Sequence, residues 1–266
     1  MIKPVISLGK KTVVAMVHLP ALPGSPDYDP EVGMNKILDA VMSDLEALQS
    51  GGVDAVMFGN EFDRPYVLKA PPEGLAALAA IIGQIKPMIK VPFGVNYLWD
   101  PVATVALAVA TEANFAREIY TGLYASDMGL WAPDCAGAAR LRSSNGRLDL
   151  QMLFNINAEF ATSLDDRPLE IKAKSVVFSS KADVICVSGM MTGMGVDKIE
   201  LRKVRESIPE TPLLANTGVT LDSVEEIFSF TDGCVIGSHL KHKGDTWNSV
   251  DPERVKKFMD KVEKIR

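Results

Sequence analysis

The chain has 266 residues, 47% of them apolar and 23% charged, enough for a large buried core. Its net charge of −6, without a long basic run, argues against a nucleic-acid partner, because neutralising phosphates needs a concentrated Lys/Arg surface. No apolar stretch is long enough to span a bilayer, and the N-terminus lacks a small-residue cleavage site. The three cysteines, Cys135, Cys186 and Cys234, are scattered, so a reducing, cytoplasmic setting is expected.

Along the chain, short β-branched runs alternate with stretches of helical spacing. "TVVAMVHL" (12–19) precedes a helix near 31–50, where Ile37, Leu38, Val41, Leu45 and Leu48 recur at three and four, and Gly51-Gly52 ends it. "VDAVMF" (53–58) precedes a helix near 73–86. "VPFGVNYL" (91–98) precedes one near 101–111, with Asp100 as its cap and Pro101 in its first turn. "FAREIYTG" (115–122) leads to a weaker helix near 134–142, and "DLQMLFNI" (149–156) to one near 168–179. "DVICVSG" (183–189), "PLLANTG" (212–218) and "GCVIGS" (233–238) precede helices near 197–206, 221–229 and 252–264. Eight consecutive strand–helix units in one run of this length predict a closed parallel (β/α)8 barrel, a TIM barrel, as a single domain over 1–266. An open doubly wound sheet fits less well: it usually has fewer strands, and the first turn, "HLPALPGSP", has no GxGxxG pattern. Cys186 and Cys234 lie inside apolar runs and read as buried fillers; no CxxC or His/Cys cluster suggests zinc.

In a barrel, chemistry gathers at the C-terminal ends of the strands. Those ends carry His18; Asn60 with Glu61; Asn96; Glu118 with Thr121; Asn155 with Asn157; Ser188; Asn216 with Thr217; and Ser238. A purely apolar core would accept Val, Ile or Leu there, so the set reads as a polar pocket. His18 suits a general acid/base, or alternatively orients its loop. Glu61 is an acid/base or metal-ligand candidate, against a loop ion pair with Arg64. Glu118 is either an inward charge with a task or an outward one paired with Arg117 or Arg140. Asn155 and Asn157 share parity with Gln151, so strand 5 shows one polar face toward a wet or ligand-lined interior. Asp127 and Glu159 are further loop carboxylates; convergence of two or three such groups would bind a divalent cation or move protons. The only lysine near a strand end is Lys241, beyond strand 8, which argues against a Schiff base.

Barrels often hold a phosphate between the loops after strands 7 and 8, with backbone N–H groups that only small residues leave accessible. Three neighbouring strands end in "VSGMMTGMG", "NTGV" and "IGSH". Gly189, Gly193, Gly218, Gly237 and Ser238 are therefore the candidate phosphate cradle, with Asn60, Asn96, Asn155, Asn157, Ser188 and Asn216 as candidate hydroxyl-binding groups.

The stretches "MVHLPALPGSPDY", "DLEALQSGGVDAVMFGNEFDRPY", "PFGVNYLWDPVATVALA", "YASDMG", "VSGMMTGMGVD", "NTGVTLDSVEEI" and "DGCVIGSHLK" resemble the BtpA/SgcQ family, in order and over nearly the whole chain. "NEF", "REI-TG-YASD", "LFNI" and "LLANTGV" bring it closer to the SgcQ branch. The BtpA branch usually shows an acidic-Asn pair where Gly59-Asn60 stands here, Lys-His where Glu159-Phe160 stands, and Gly-Ser-Gly at Asn216-Thr217-Gly218, so chemistry tied to that lysine or histidine does not carry over. The resemblance implies a ribulose-phosphate-binding type of barrel. It also implies association with carbohydrate-utilisation gene sets and a nucleosidase label for one branch, and photosystem I biogenesis at thylakoid membranes for the other.

The combined expectation is a cytoplasmic enzyme acting on a phosphorylated sugar or sugar-like small molecule. The reaction would be isomerisation, epimerisation, a lyase step or nucleosidase-like cleavage, with His18, Glu61, Glu118 and Asp127 as catalytic candidates. No cofactor is demanded by a motif; a divalent cation is a further candidate, and a homo-oligomer through outer helices is expected by analogy with other barrels. The alternative is a non-catalytic biogenesis or assembly factor with a vestigial pocket.

Overall fold

The computed structural model describes residues 4–266. Eight parallel strands close into a barrel in the order β1 (Thr12–His18), β2 (Ala55–Gly59), β3 (Phe93–Asn96), β4 (Phe115–Glu118), β7 (Gln151–Asn155), β9 (Val184–Val187), β10 (Leu213–Ala215) and β11 (Gly233–Ile236), which pairs back to β1. Outside lie α1 (Gly33–Ser50), α2 (Pro72–Ile85), α3 (Pro101–Thr111), α4 (Cys135–Ser144), α5 (Leu169–Ser175), α6 (Lys198–Ser207), α7 (Val224–Phe228) and α8 (Pro252–Ile265). The expected barrel is thus the observed one, and every expected helix has its counterpart. No helix among the described residues is long and apolar enough to cross a membrane.

Strand parity sorts the side chains into two layers. One parity fills the barrel with Val14, Met16, Ala55, Met57, Phe115, Leu153, Val184, Cys186, Leu214 and Val235. The other meets the helices, as Val13, Ala15, Val56, Phe58, Val95, Ala116 and Phe154 do. Cys186 and Cys234 are buried, as their apolar runs suggested. Helix starts are fixed by side-chain caps: Asp100 Oδ1 accepts from Ala103 N at 3.0 Å, and Asp134 Oδ1 from Gly137 N at 2.7 Å. α5 is shorter than the 168–179 pattern because Val176–Ser180 turns into a wider π-helical coil.

Two findings differ from the sequence reading. Gln151 shares the inward face of β7 but sits at the opposite end of the barrel from the site. There its Oε1 accepts from Val5 N at 2.8 Å and Ile6 N at 3.0 Å, so it fastens the N-terminal segment that plugs the barrel floor. The polar face of that strand is therefore not a single wet surface. The run 115–122 also does not continue as a strand past Glu118. The chain folds instead into β5 (Tyr124–Ser126) and β6 (Gly129–Trp131), which join β8 (Ala161–Ser163) in a small antiparallel sheet over the barrel mouth. Its Tyr124 and Trp131 pack with Trp99, Ile119 and Ala158 into a separate apolar cluster that walls one side of the mouth.

Candidate functional site

The mouth at the C-terminal ends of the strands holds a cavity of about 160 Å³. His18, Glu61, Arg117, Glu159, Asn216 and Thr192 line it, together with Gly193, Gly218, Val219, Gly237 and Ser238. A smaller cavity of about 30 Å³ adjoins it and shares Glu61, Arg117, Glu159 and Thr192.

Arg117 organises the centre. It shares parity with Phe115 and so enters the barrel, where it is 7% exposed. Its Nη1 donates to Asn216 Oδ1 at 3.0 Å and its Nη2 to Asn96 Oδ1 at 2.6 Å, spanning the barrel from β4 to β10 and β3. Asn96 Nδ2 donates in turn to Glu118 Oε1 at 2.8 Å, and Asn216 Nδ2 to Ser188 Oγ at 2.8 Å. Three residues expected to meet a ligand, Asn96, Asn216 and Ser188, are thus tied into the frame that aims the guanidinium. Asn96 is fully buried; Asn216 also borders the large cavity.

Glu118 belongs to the outward parity, yet its carboxylate curls over the strand end. It accepts from Trp99 N at 2.8 Å and Ile119 N at 2.6 Å and borders the smaller cavity. It pairs with neither Arg117 nor Arg140; the open question of its direction resolves to a buried carboxylate at the mouth. Burial pushes it up to about 7, against the pull of Arg117 and its three donors. Glu61, also buried, is pushed up to about 7 by the same cause, with Arg117 lowering it and Glu159 raising it. Glu159 is raised by burial too, and takes a hydrogen bond from Thr192 Oγ1 at 2.7 Å. His18 is driven well below the usual imidazole range, first by burial and then by the positive charges of Lys241 and Arg117. It is therefore neutral near pH 7, with its Nε2 3.9 Å from Glu61 Oε2. Arg64 stacks 3.7 Å over the Trp247 ring and is not the ion-pair partner of Glu61.

The glycine loops serve two purposes. Gly218 has φ +61°, and a Cβ on it would lie on the Gly195 amide and the Met194 carbonyl, so only glycine permits the loops after β9 and β10 to meet. The backbone N–H groups of Gly218, Val219, Gly237 and Ser238 find no backbone acceptor among the described residues, and all four residues border the cavity. Gly193 borders it from the third loop. Gly189 departs from the expected cradle. Its N–H donates to Thr217 Oγ1 at 2.5 Å, and that hydroxyl donates to Met194 O at 2.9 Å, so this pair latches the loop shut.

Other expected site residues are also braces. Asn60 accepts from Leu98 N at 2.8 Å and donates to Asp63 Oδ2 at 3.1 Å, joining the loops after β2 and β3. Asn157 exchanges two hydrogen bonds with the Ser188 backbone, at 2.6 and 2.9 Å. Asp127 lies exposed in the turn between β5 and β6, away from both cavities, so it does not join Glu61 and Glu118. Among the described residues, no group of three or more His, Cys, Asp or Glu side chains is arranged to hold a metal ion. Lys241 is 1% exposed and does not line the large cavity; it donates to Asn248 O at 2.9 Å, with Asp44 Oδ2 at 3.9 Å. Conversely, Arg117 was missed as a cavity residue; its parity with Phe115 was the available signal. Glu159, a loop carboxylate legible in the sequence, lines the cavity, whereas Thr192, on the loop after β9, gave no such signal.

Comparison with known proteins agrees with this architecture. The chain is 50% identical over 257 residues to the sgc region protein SgcQ of Escherichia coli (strain K12), covering 97% of this chain and 96% of that protein. It is 26% identical over 251 residues to the photosystem I biogenesis protein BtpA of Synechocystis sp. (strain ATCC 27184 / PCC 6803 / Kazusa), covering 93% of this chain and 86% of that one. Among solved structures, native KDPGal superposes with a TM-score of 0.57 over 95% of each chain at 12% identity, a likeness of fold. The sequence profile of the BtpA family matches residues 9–264, and the chain belongs to that family.

Proposed function

We propose that this barrel is an enzyme that moves protons on a small phosphorylated sugar or sugar-like molecule. The observation that carries the reading is the run of acceptor-free N–H groups at Gly218, Val219, Gly237 and Ser238, residues that line the large cavity. Backbone donors on two adjacent loops suit a phosphate, which takes several hydrogen bonds without needing a side-chain charge. A cavity of about 160 Å³ suits a ligand of a few carbons rather than a dinucleotide. In the same cavity, Glu61 has a proton affinity matched to neutral pH, the property a general acid/base needs. Arg117 supplies a fixed positive charge for an oxygen that gains negative charge during proton removal. Neutral His18 is a second donor or acceptor beside Glu61. Isomerisation and epimerisation use these groups most directly; nucleosidase-like cleavage would need Glu61 or Glu159 to activate water.

The test is calorimetric titration with inorganic phosphate and with triose to pentose phosphates, beside thermal unfolding. At a hundredfold excess over Kd a ligand raises stability by about 2.7 kcal/mol, or roughly 5–10 °C in Tm. Ser238→Asp places a carboxylate at the cradle and should abolish phosphate binding while the barrel stays folded. Absence of stabilisation by every phosphate compound would refute the reading. It would favour the second one, a non-catalytic assembly factor, which draws its support from the relative named for photosystem I biogenesis.

A further inference from the structure

The smaller cavity carries a pattern that the phosphate cradle does not use. Four residues that border it each bury a polar atom with no hydrogen-bond partner: Glu61 Oε2, Trp99 Nε1, Arg117 Nε and Asn155 Oδ1. All four residues are at most 9% exposed. An unpaired buried polar atom is costly, so four on residues that line one small space call for an occupant. Two of them, the Trp99 and Arg117 N–H groups, are donors. The other two, on Glu61 and Asn155, are oxygens.

The backbone around the cavity is also held under strain. Trp99 has φ +72° and Phe160 φ +53°, left-handed values that bulky residues rarely adopt. Glu118 holds Trp99 in place by accepting its backbone N–H at 2.8 Å. The fold thus maintains an unfavourable conformation to keep the indole where it is.

We propose that this cavity is a diol subsite, which seats two adjacent hydroxyl groups of a ligand whose phosphate lies at Gly237 and Ser238. The inference rests on the phosphate reading above. Its volume of about 30 Å³ admits about two water-sized groups, which excludes a planar ring such as a nucleobase. Two hydroxyl groups have two protons to give and two oxygens to accept with. That complement matches the two oxygens, Glu61 Oε2 and Asn155 Oδ1, and the two donors, Trp99 Nε1 and Arg117 Nε. A carboxylate would set its charge against the oxygens of Glu61 and Asn155, and an apolar group would leave all four atoms unpaired. Because Glu61 and Arg117 border both cavities, the carbon next to the diol lies beside the acid/base group. The substrate class is then a polyhydroxylated phosphate ester, and the diol selects for it.

The experiment compares inorganic phosphate, erythrose 4-phosphate, ribose 5-phosphate, ribulose 5-phosphate and 2-deoxyribose 5-phosphate by calorimetry on wild type, Trp99→Phe and Asn155→Leu. A polyhydroxylated phosphate is expected to bind at least about tenfold tighter than inorganic phosphate, and the deoxy analogue to lose about tenfold, as one unmet hydroxyl in a polar site commands. Trp99→Phe keeps an aromatic ring and removes the N–H. It should cost about tenfold on the polyhydroxylated ester and leave inorganic phosphate unchanged. In wild type, the Trp99 indole N–H resonance, assigned with Trp99→Phe, should move with that ester and stay still with inorganic phosphate. If deoxy and hydroxylated esters bind alike and the resonance stays still, the cavity holds only water and the proposal is overturned while the phosphate reading stands. If inorganic phosphate and every ester fail to bind, the phosphate reading falls and takes the subsite with it.

Discussion

Arg117→Met is the sharpest probe of how the mouth is held together. Methionine keeps much of the length and apolar stem but removes the charge and all donors. Asn96 Oδ1 and Asn216 Oδ1 then lose partners at 2.6 and 3.0 Å, and two buried acceptors left empty cost about 2–6 kcal/mol. A further loss depends on pH. Arg117 lowers the proton affinity of Glu61, Glu118 and Glu159, each of which burial raises. If its removal weakens each acid about tenfold, the low end for an adjacent guanidinium, each carboxylate costs about 1.4 kcal/mol more once ionised. Glu61 and Glu118 together add about 3 kcal/mol, present only where wild type would ionise them, above about pH 7. Below that range the carboxyls are neutral in both proteins and the extra cost vanishes. Urea denaturation at about pH 5.5 and about pH 8.5 measures it: the variant's deficit should grow from about 2–6 to about 5–9 kcal/mol. An equal deficit at both values would refute the claim that Arg117 holds the buried carboxyls of Glu61 and Glu118.

Three further outcomes follow from the same geometry. Glu61 is raised from 4.5 to about 7, so the folded state binds more protons than the unfolded one in that window. Its contribution therefore falls by about 3 kcal/mol as pH rises from about 4.5 to about 7, and Glu61→Gln should flatten that part of the stability curve; an unchanged slope in denaturation across pH would count against the burial argument. Gly218→Ala adds left-handed strain and a clash with the Met194–Gly195 backbone, for about 2–4 kcal/mol, or a Tm lower by roughly 4–16 °C in scanning calorimetry; a loss under about 0.5 kcal/mol would show that the loops do not meet there. Asp44→Ala strands buried Lys241 and frees Val250 N, which Asp44 Oδ1 accepts at 2.8 Å, so about 3–5 kcal/mol is lost and hydrogen exchange quickens over 241–250; unchanged exchange would mean that another contact anchors that loop.

Much of the fold was legible because its signals are local. The alternation of β-branched runs with helical spacing marked the eight units, and Asp100 and Gly51-Gly52 marked helix ends without reference to distant residues. Small residues after β10 and β11 were legible as accessible backbone for the same reason. The site was harder, because a polar residue at a strand end looks the same whether it meets a ligand or braces a loop. Asn60, Asn157 and Gly189 have the right residue types, yet their hydrogen bonds go to Leu98, Ser188 and Thr217.

The amino-acid sequence by itself determined the barrel, the end of it that carries the polar residues, and the inward parity of Asn155, since these depend on period and order along the chain. Only the tertiary structure decided that Arg117 rather than Glu118 enters the barrel, and that Asn216, 99 residues away, meets it there. It likewise decided that Gln151 serves the floor, that the small β5–β6–β8 sheet walls the mouth, and that four residues lining one small cavity bury polar atoms without partners. The reason is closure. Joining β11 to β1 sets which strand ends face one another across the interior, and no pattern within one segment encodes a meeting between groups that far apart in the chain.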